Sequence, residues 1–183
     1  MTNESSSSFE IRDVEDKDLP TIQSIYAEQV LHGVSSWEEI PPNLAEMTKR
    51  QNGIMNLGYP FRVAVRDDEV IGYSYASAYR PRPGYRFTVE NSIYISQTAR
   101  RSGCGKLLLA DLIEVCTAQG YRQMIAVIGD SENAMSIDFH LKMGFEHVGT
   151  IKAIGYKFDR WLDSVLMQLP LGDGSQTTPS DGT

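Results

Sequence analysis

The 183-residue chain has little positive charge, few cysteines and no long apolar run. Seventeen Lys and Arg against 24 Asp and Glu leave a formal net charge of -7 and a pI of about 4.9. Nucleic-acid binders present a basic face, so this balance argues against one and makes any cluster of arginine conspicuous. No stretch approaches the roughly 20 apolar residues that span a bilayer. Residues Met1 to Ser8 are polar and lack a basic-then-apolar pattern, so no secretory leader is expected. The two cysteines are Cys104 and Cys116. On one helix they would lie roughly 18 Å apart, too far to pair. Without a disulfide framework or metal-ligand spacing, the expectation is a cytoplasmic protein with no metal.

What is present is a globular composition, 41% hydrophobic and 22% charged. The length suits one domain. Ser-rich residues 1–8 and Gly/Ser/Thr/Asp/Pro-rich residues 171–183 read as disordered tails around a single domain, 9–170. Hydrophobic periodicity predicts a short strand at Phe9 to Arg12, then a helix capped by Asp16 or Asp18 and stopped by Gly33. A second helix runs from Asn43 to about Asn56. Strands follow at Phe61 to Arg66, Val70 to Tyr79 and Phe87 to Ile95. In Val70 to Tyr79, Ile71, Tyr73, Tyr75 and Tyr79 form a bulky face opposite Gly72, Ser74, Ala76 and Ala78. A Leu-rich helix from Cys104 to Gln119 leads to Met124 to Ile128, an apolar run expected of a doubly buried strand. A helix at about Glu132 to Met143 and two strands, near Phe145 to Ala153 and Trp161 to Leu169, complete the order β-α-α-β-β-β-α-β-α-β-β. This is an α/β chain with a mixed, mostly antiparallel sheet and one parallel β-α-β crossover.

Arg100-Arg101-Ser102-Gly103-Cys104-Gly105 connects a strand to a helix. Backbone N–H groups at a helix start, unobstructed by Cβ atoms, can cradle phosphate oxygens. The same glycines could simply make a tight turn. A Walker loop is excluded because Arg100 and Leu107 occupy its required Gly and Ser/Thr places, and a dinucleotide fingerprint fails because Leu108 replaces its third Gly.

Arg-x-x-Gly-x-Gly in this context resembles the acetyl-CoA motif of the GNAT superfamily of N-acetyltransferases, and the element order is similar to that acyl-CoA N-acyltransferase fold. The blocks Phe87 to Ile95, Ala126 to Asp130 and Gly155 to Asp163 resemble the phosphinothricin and methionine-sulfoximine acetyltransferase family. The resemblance implies acetyl-CoA as co-substrate. Ile93, Tyr94 and Ile95 would offer backbone groups to the pantetheine arm. Arg100, Arg101, Ser102, Gly103, Cys104, Gly105 and Lys106 would surround the pyrophosphate, and Asn133 and Ser136 would also contact the cofactor. A bulge would splay the fourth strand from the fifth, with the thioester between them. The family usually has Gly at the Arg101 position. Cys104, where an aliphatic residue is commoner, is either a small apolar filler or a helix-terminal thiol open to redox chemistry.

Amine acetylation from a thioester needs a neutral amine and a proton for the departing thiolate. Glu90, in a mostly apolar or hydroxylated run, is the expected base, its pKa raised by partial desolvation. The alternative is a structural Glu paired with Arg86 or a neighbouring strand. Many superfamily members carry a Tyr acid four residues before Gly-Phe; here that place holds His140, with water or Tyr156 as alternatives. Arg80, Arg82 and Arg86 form either a solvated loop or a wall for a carboxylate or phosphinate. Arg80, Arg82, Tyr85, Glu90, Asn91, Ser92 and Trp37 are the candidate substrate residues, although Trp37 could equally anchor its own loop. The expected activity is direct acetylation of the α-amine of phosphinothricin, methionine sulfoximine or methionine sulfone. Alternatives are acetylation of another amino acid or a protein N-terminus, or a CoA-binding sensor without turnover. The family's habit of pairing subunits implies a homodimer.

Overall fold

A computed structural model describes residues 9–179; the expected tail 1–8 and the last four residues of the expected tail 171–183 lie outside them. Seven strands form one sheet in the order β1-β2-β3-β4-β5-β7-β6. They are β1 (Glu10–Asp13), β2 (Phe61–Arg66), β3 (Glu69–Ala78), β4 (Thr88–Ile95), β5 (Gln123–Gly129), β6 (Glu146–Lys157) and β7 (Arg160–Pro170). The helices are α1 (Leu19–His32), α2 (Leu44–Asn56), α3 (Cys104–Ala118) and α4 (Ala134–Lys142). All adjacent pairs are antiparallel except β4 with β5, which α3 connects. The mixed α/β architecture and its single parallel crossover therefore match the sequence expectation.

Local chemistry explains the element ends. Asn43 caps α2 by accepting from Glu46 N–H at 2.9 Å, and Asn133 caps α4 by accepting from Ser136 N–H at 3.3 Å. Two-residue turns, Asp67-Asp68 and Phe158-Asp159, have positive φ throughout, the hand that suits strand twist in a hairpin.

Two cores cover the two sheet faces. Leu19, Ile22, Ile25 and Val30 of α1 pack on Phe61, Val63, Tyr73 and Tyr94. On the other face Leu109, Leu112 and Cys116 of α3 pack on Val89, Met124, Ala126 and Met167. The small residues of β3 let α3 approach: a Cβ on Gly72 would crowd Ile95 and Leu108. Ile71 does not share the face of Tyr73. A register shift between Ala64 and Val65 inserts a bulge, and Ile71 packs with Ala64, Cys104 and Leu108 on the α3 side.

β6 runs four residues beyond its predicted end, through a kink where Ala153 has φ 50° and the register on β7 shifts between Ile151 and Gly155. Residues 171–179, assigned to a tail on composition, form turns: Leu171 is buried, and Arg122 donates to Thr177 Oγ1 at 2.5 Å. Among the described residues no helix is long and apolar enough to cross a membrane.

Candidate active site

The pairing of β4 with β5 runs only from Thr88–Gln123 to Asn91–Ala126. Beyond it β4 stays on β3 as far as Ile95, and β5 stays on β7 as far as Gly129. The strands part there, exposing unpaired backbone groups along both edges of the gap. The register of β4 on β3 is continuous, so the expected bulge is not what separates them. The gap opens into a cavity of about 320 Å³. Its lining includes the predicted residues Trp37, Glu90, Asn91, Ser92, Ile93, Tyr94, Asn133, Ser136 and His140.

Glu90 stands on the α1–α2 side of the split, paired in register with Ile125. Burial raises its carboxyl above the ordinary range, and the positive charge of Arg80 pulls it part of the way back. Such a carboxylate is a stronger base than one on the surface. The Arg86 guanidinium lies over the Phe87 ring, 4.5 Å from its centre.

His140 and Asn91 face each other on the α3–α4 side. The ring Nδ1 lies 2.8 Å from Ser136 O, which can only accept. In the neutral ring the proton is therefore on Nδ1, leaving Nε2 to accept from Asn91 Nδ2 at 3.3 Å. Burial lowers the imidazole's affinity for a second proton, against the opposing pull of the Ser136 carbonyl. The neutral ring has no free proton to give. Tyr156, the other protein candidate, lies outside the cavity lining, half-exposed against Trp161.

Arg80, Arg82 and Tyr85 sit on the exposed loop before β4, outside the cavity lining. Arg80 lies over the Tyr79 ring at 4.9 Å, and Tyr79 meets Tyr85 edge to face. Arg80 reaches the site through its field on Glu90.

The glycine loop forms the start of α3. Gly103 has φ 89° and Arg101 φ 62°, so the chain turns through two left-handed residues before the helix. The first bond into the helix is Leu107 N–H to Gly103 O at 3.3 Å; the N–H groups of Cys104, Gly105 and Lys106 precede it at the positive end of the helix dipole. Gly105 lies close enough to Ile95 and Phe139 that a Cβ would touch both. Arg100, Arg101, Ser102 and Lys106 are exposed around this turn. Cys104 itself is fully buried, and burial pushes its thiol up to about 11, which describes a filler rather than a reactive thiolate.

The sequence did not point to the cavity's opposite wall. Tyr26, Ser35, Ser36, Glu38 and Tyr75 line it. Tyr26 Oη bonds Ser36 Oγ at 2.9 Å and Glu38 Oε1 at 3.1 Å, and Arg50 donates to Glu38 at 2.5 Å. These groups come from α1, its following loop, α2 and β3. The one local cue is Trp37 beside Glu38.

This split sheet, with a helix start beside the gap and a raised carboxyl in it, has counterparts among known proteins. The family described as "Acetyltransferase (GNAT) domain" matches residues 11–166. The chain belongs to the GNAT acetyltransferase family. It is 47% identical over 169 residues to a phosphinothricin N-acetyltransferase of Alcaligenes faecalis, covering 92% of this chain and 86% of the relative. It is 41% identical over 173 residues to an L-methionine sulfoximine/L-methionine sulfone acetyltransferase of Pseudomonas aeruginosa, covering 94% and 99%. A crystal structure of a GNAT phosphinothricin acetyltransferase from Sinorhizobium meliloti in complex with AcCoA superposes with a TM-score of 0.92 at 50% identity, covering 95% and 94%. This GNAT chain is thus an acetyl-CoA-dependent N-acetyltransferase. The splayed strands and the Gly105 and Lys106 N–H groups at the α3 start fit a long, amide-bearing thioester with a pyrophosphate. Among the described residues no group of three or more His, Cys, Asp and Glu could hold a metal ion.

Proposed function

We propose that this acetyltransferase acts on the α-amine of a small zwitterionic amino acid analogue: phosphinothricin, methionine sulfoximine or methionine sulfone. The observation that carries this reading is Glu90, a partly buried carboxyl beside the point where β4 and β5 part. The names of the relatives at 47% and 41% identity support the substrate class.

In this reading Glu90 takes a proton from the substrate ammonium, directly or through water. The freed amine attacks the thioester carbonyl in a ternary complex; as the C–S bond breaks, the new amide nitrogen gives up its second proton to solvent and the departing coenzyme A thiolate takes one from solvent. Backbone groups of Ile93, Tyr94 and Ile95 hold the pantetheine arm, and residues 100–106 hold the pyrophosphate, with Asn133 and Ser136 alongside. Arg80 and Arg82 meet the acid end of the substrate, with Tyr85 and Trp37 as flanking walls and Asn91 and Ser92 beneath. His140 orients Asn91 rather than serving as the acid, because its neutral proton is committed to Ser136 O.

The subunit pairing has a surface to support it. β6 is a sheet edge, and its hairpin with β7 exposes Val148, Ile151, Ile154, Tyr156, Phe158 and Trp161. An exposed apolar edge strand invites pairing, and we assign it to a second copy of this chain. Two free, buried cysteines suit a cytoplasmic setting.

The decisive experiment follows thiol release from acetyl-CoA against phosphinothricin, methionine sulfoximine, methionine sulfone, the proteinogenic amino acids and an N-terminal peptide. Turnover preferring the first three is expected. Turnover confined to the peptide or ordinary amino acids overturns the substrate class. Tight acetyl-CoA binding with no turnover on any amine marks a sensor.

A further inference from the structure

Lys157 is the last residue of β6 and is only 2% exposed. A buried ammonium is costly unless its protons find acceptors. Here they go to main-chain carbonyls: Nζ donates to Gly33 O at 3.0 Å and to Ser36 O at 2.8 Å, and it lies 4.9 Å from the centre of the Phe158 ring. Both carbonyls belong to the connection between α1 and α2. Residues 33–43 of that connection have no helix or strand of their own.

Two glycines complete the seat. A Cβ on Gly129, at the end of β5, would overlap the carbonyl oxygen of Val34. A Cβ on Gly155 in β6 would overlap the Trp37 ring. The connection therefore lies directly on the backbone of β5 and β6. From the other side Tyr26 and Arg50 hold Ser36 and Glu38. Clamped between these contacts, Ser35, Ser36, Trp37 and Glu38 face the same cavity as Glu90. Lys157 does not line that cavity.

We infer that Lys157 is a positioning residue: its ammonium, seated with Gly129 and Gly155, latches the α1–α2 connection as the amine-side wall of the pocket. The inference rests on the amine reading of that cavity. Its chemistry is specific to lysine, since an apolar side chain could fill the volume but would leave the Gly33 and Ser36 carbonyls without this donor. The wall lies on the Glu90 side of the split, while the glycine loop stands at the start of α3 on the far side. Displacing the wall should therefore be felt by the amine and not by the acetyl donor.

The test compares wild type, Lys157→Met and Gly155→Ala in two-substrate kinetics. Each is also made on a Trp161→Phe background, in which Trp37 is the sole tryptophan. Both variants should raise KM for the amine on the order of tenfold or more, as displaced positioning groups do. KM for acetyl-CoA should stay within about twofold, and Trp37 emission should shift to the red. Gly155→Ala keeps the lysine, so it carries the test if Lys157→Met fails to fold. An unchanged amine KM in the folded variants overturns the latch. So does a rise in both KM values together, which marks general damage. If the wild type turns over none of the amines, the substrate reading has failed by itself, and unchanged Trp37 emission in both variants then overturns the latch separately.

Discussion

Asn91 and His140 are joined by a 3.3 Å hydrogen bond whose direction is fixed from outside the pair. The Ser136 carbonyl takes the Nδ1 proton, so Nε2 accepts and Asn91 donates. That fixes which way the Asn91 amide is turned, with Nδ2 toward the ring and Oδ1 away from it. His140→Gln, which can still accept from Asn91, should keep kcat within about tenfold of wild type. Loss of a true general acid would lower it about 10²- to 10⁴-fold. Steady-state turnover at saturating acetyl-CoA checks this, and a thousandfold loss would restore His140 as the acid.

Glu90 supplies a pH prediction of definite sign. Its folded pKa is raised by burial and partly lowered by Arg80. The acidic limb of kcat/KM should therefore lie above the ordinary carboxylate value of 4.5. Arg80→Ala removes the opposing charge and should move that limb to still higher pH. Glu90→Gln should abolish the limb and lower kcat about 10²- to 10⁴-fold, with acetyl-CoA affinity nearly intact. Linkage gives an independent check. A raised folded pKa contributes stability that is fully present below 4.5 and is lost as pH rises through the folded value. Glu90→Gln should therefore gain stability over wild type at pH 8 and lose that gain below pH 4.5. Urea melts at the two pH values test it.

Much of this fold was legible because local signals agreed: Asn43 before a helix, an apolar run at Met124 to Ile128, glycines after helices. The three blocks that carried the family resemblance also meet in space. Asn91 pairs with Ala126, Arg160 donates to Asp130 at 2.5 Å, and Asp130 N–H reaches Asp163 O at 2.8 Å. What stayed hidden depended on register or on distance along the chain. The bulge at Ala64/Val65 moves Ile71 to the opposite face, and no periodicity announces it. Lys157 reaches a loop 121 residues away, and Glu38 meets partners on two helices. Alternation along β6 predicted its start but not the kink at Ala153 that carries it on to Lys157.

The glycine loop yields paired substitutions with opposite effects. Arg101 holds φ 62° with a side chain that disfavours it, at a cost of roughly 1–2 kcal/mol. Gly at that position removes the strain, offset in part by the freer unfolded chain. Arg101→Gly should raise Tm by about 1–3 °C. Gly103 at φ 89° is the reverse case, and Gly103→Ala should lower Tm by about 2–6 °C. If the backbone is the cradle, Gly103→Ala should also weaken acetyl-CoA binding, while Arg101→Gly should change it less than about threefold. Calorimetry gives both quantities. A large loss of affinity in Arg101→Gly would move the phosphate contact to the side chain.

The β6 edge offers a test of the proposed subunit pairing. Val148 and Ile154 are each 57% exposed on β6, whose outer edge pairs with no strand among the described residues, and Trp161 beside it on β7 is 65% exposed. Charges on such an edge are the usual protection against pairing. Here the outermost strand is largely apolar from Val148 to Tyr156, with Lys152 as its one charge in that span. If this edge joins two copies, sedimentation of the wild type should give a dimer at micromolar concentration. Ile154→Asp should then give a monomer, because a carboxylate trapped in an apolar interface costs several kcal/mol unless it is paired. The same substitution should leave the monomer's melting curve close to unchanged, since Ile154 is already solvated in the single chain. A monomeric wild type, or a dimer indifferent to Ile154→Asp, would take the pairing surface away from β6.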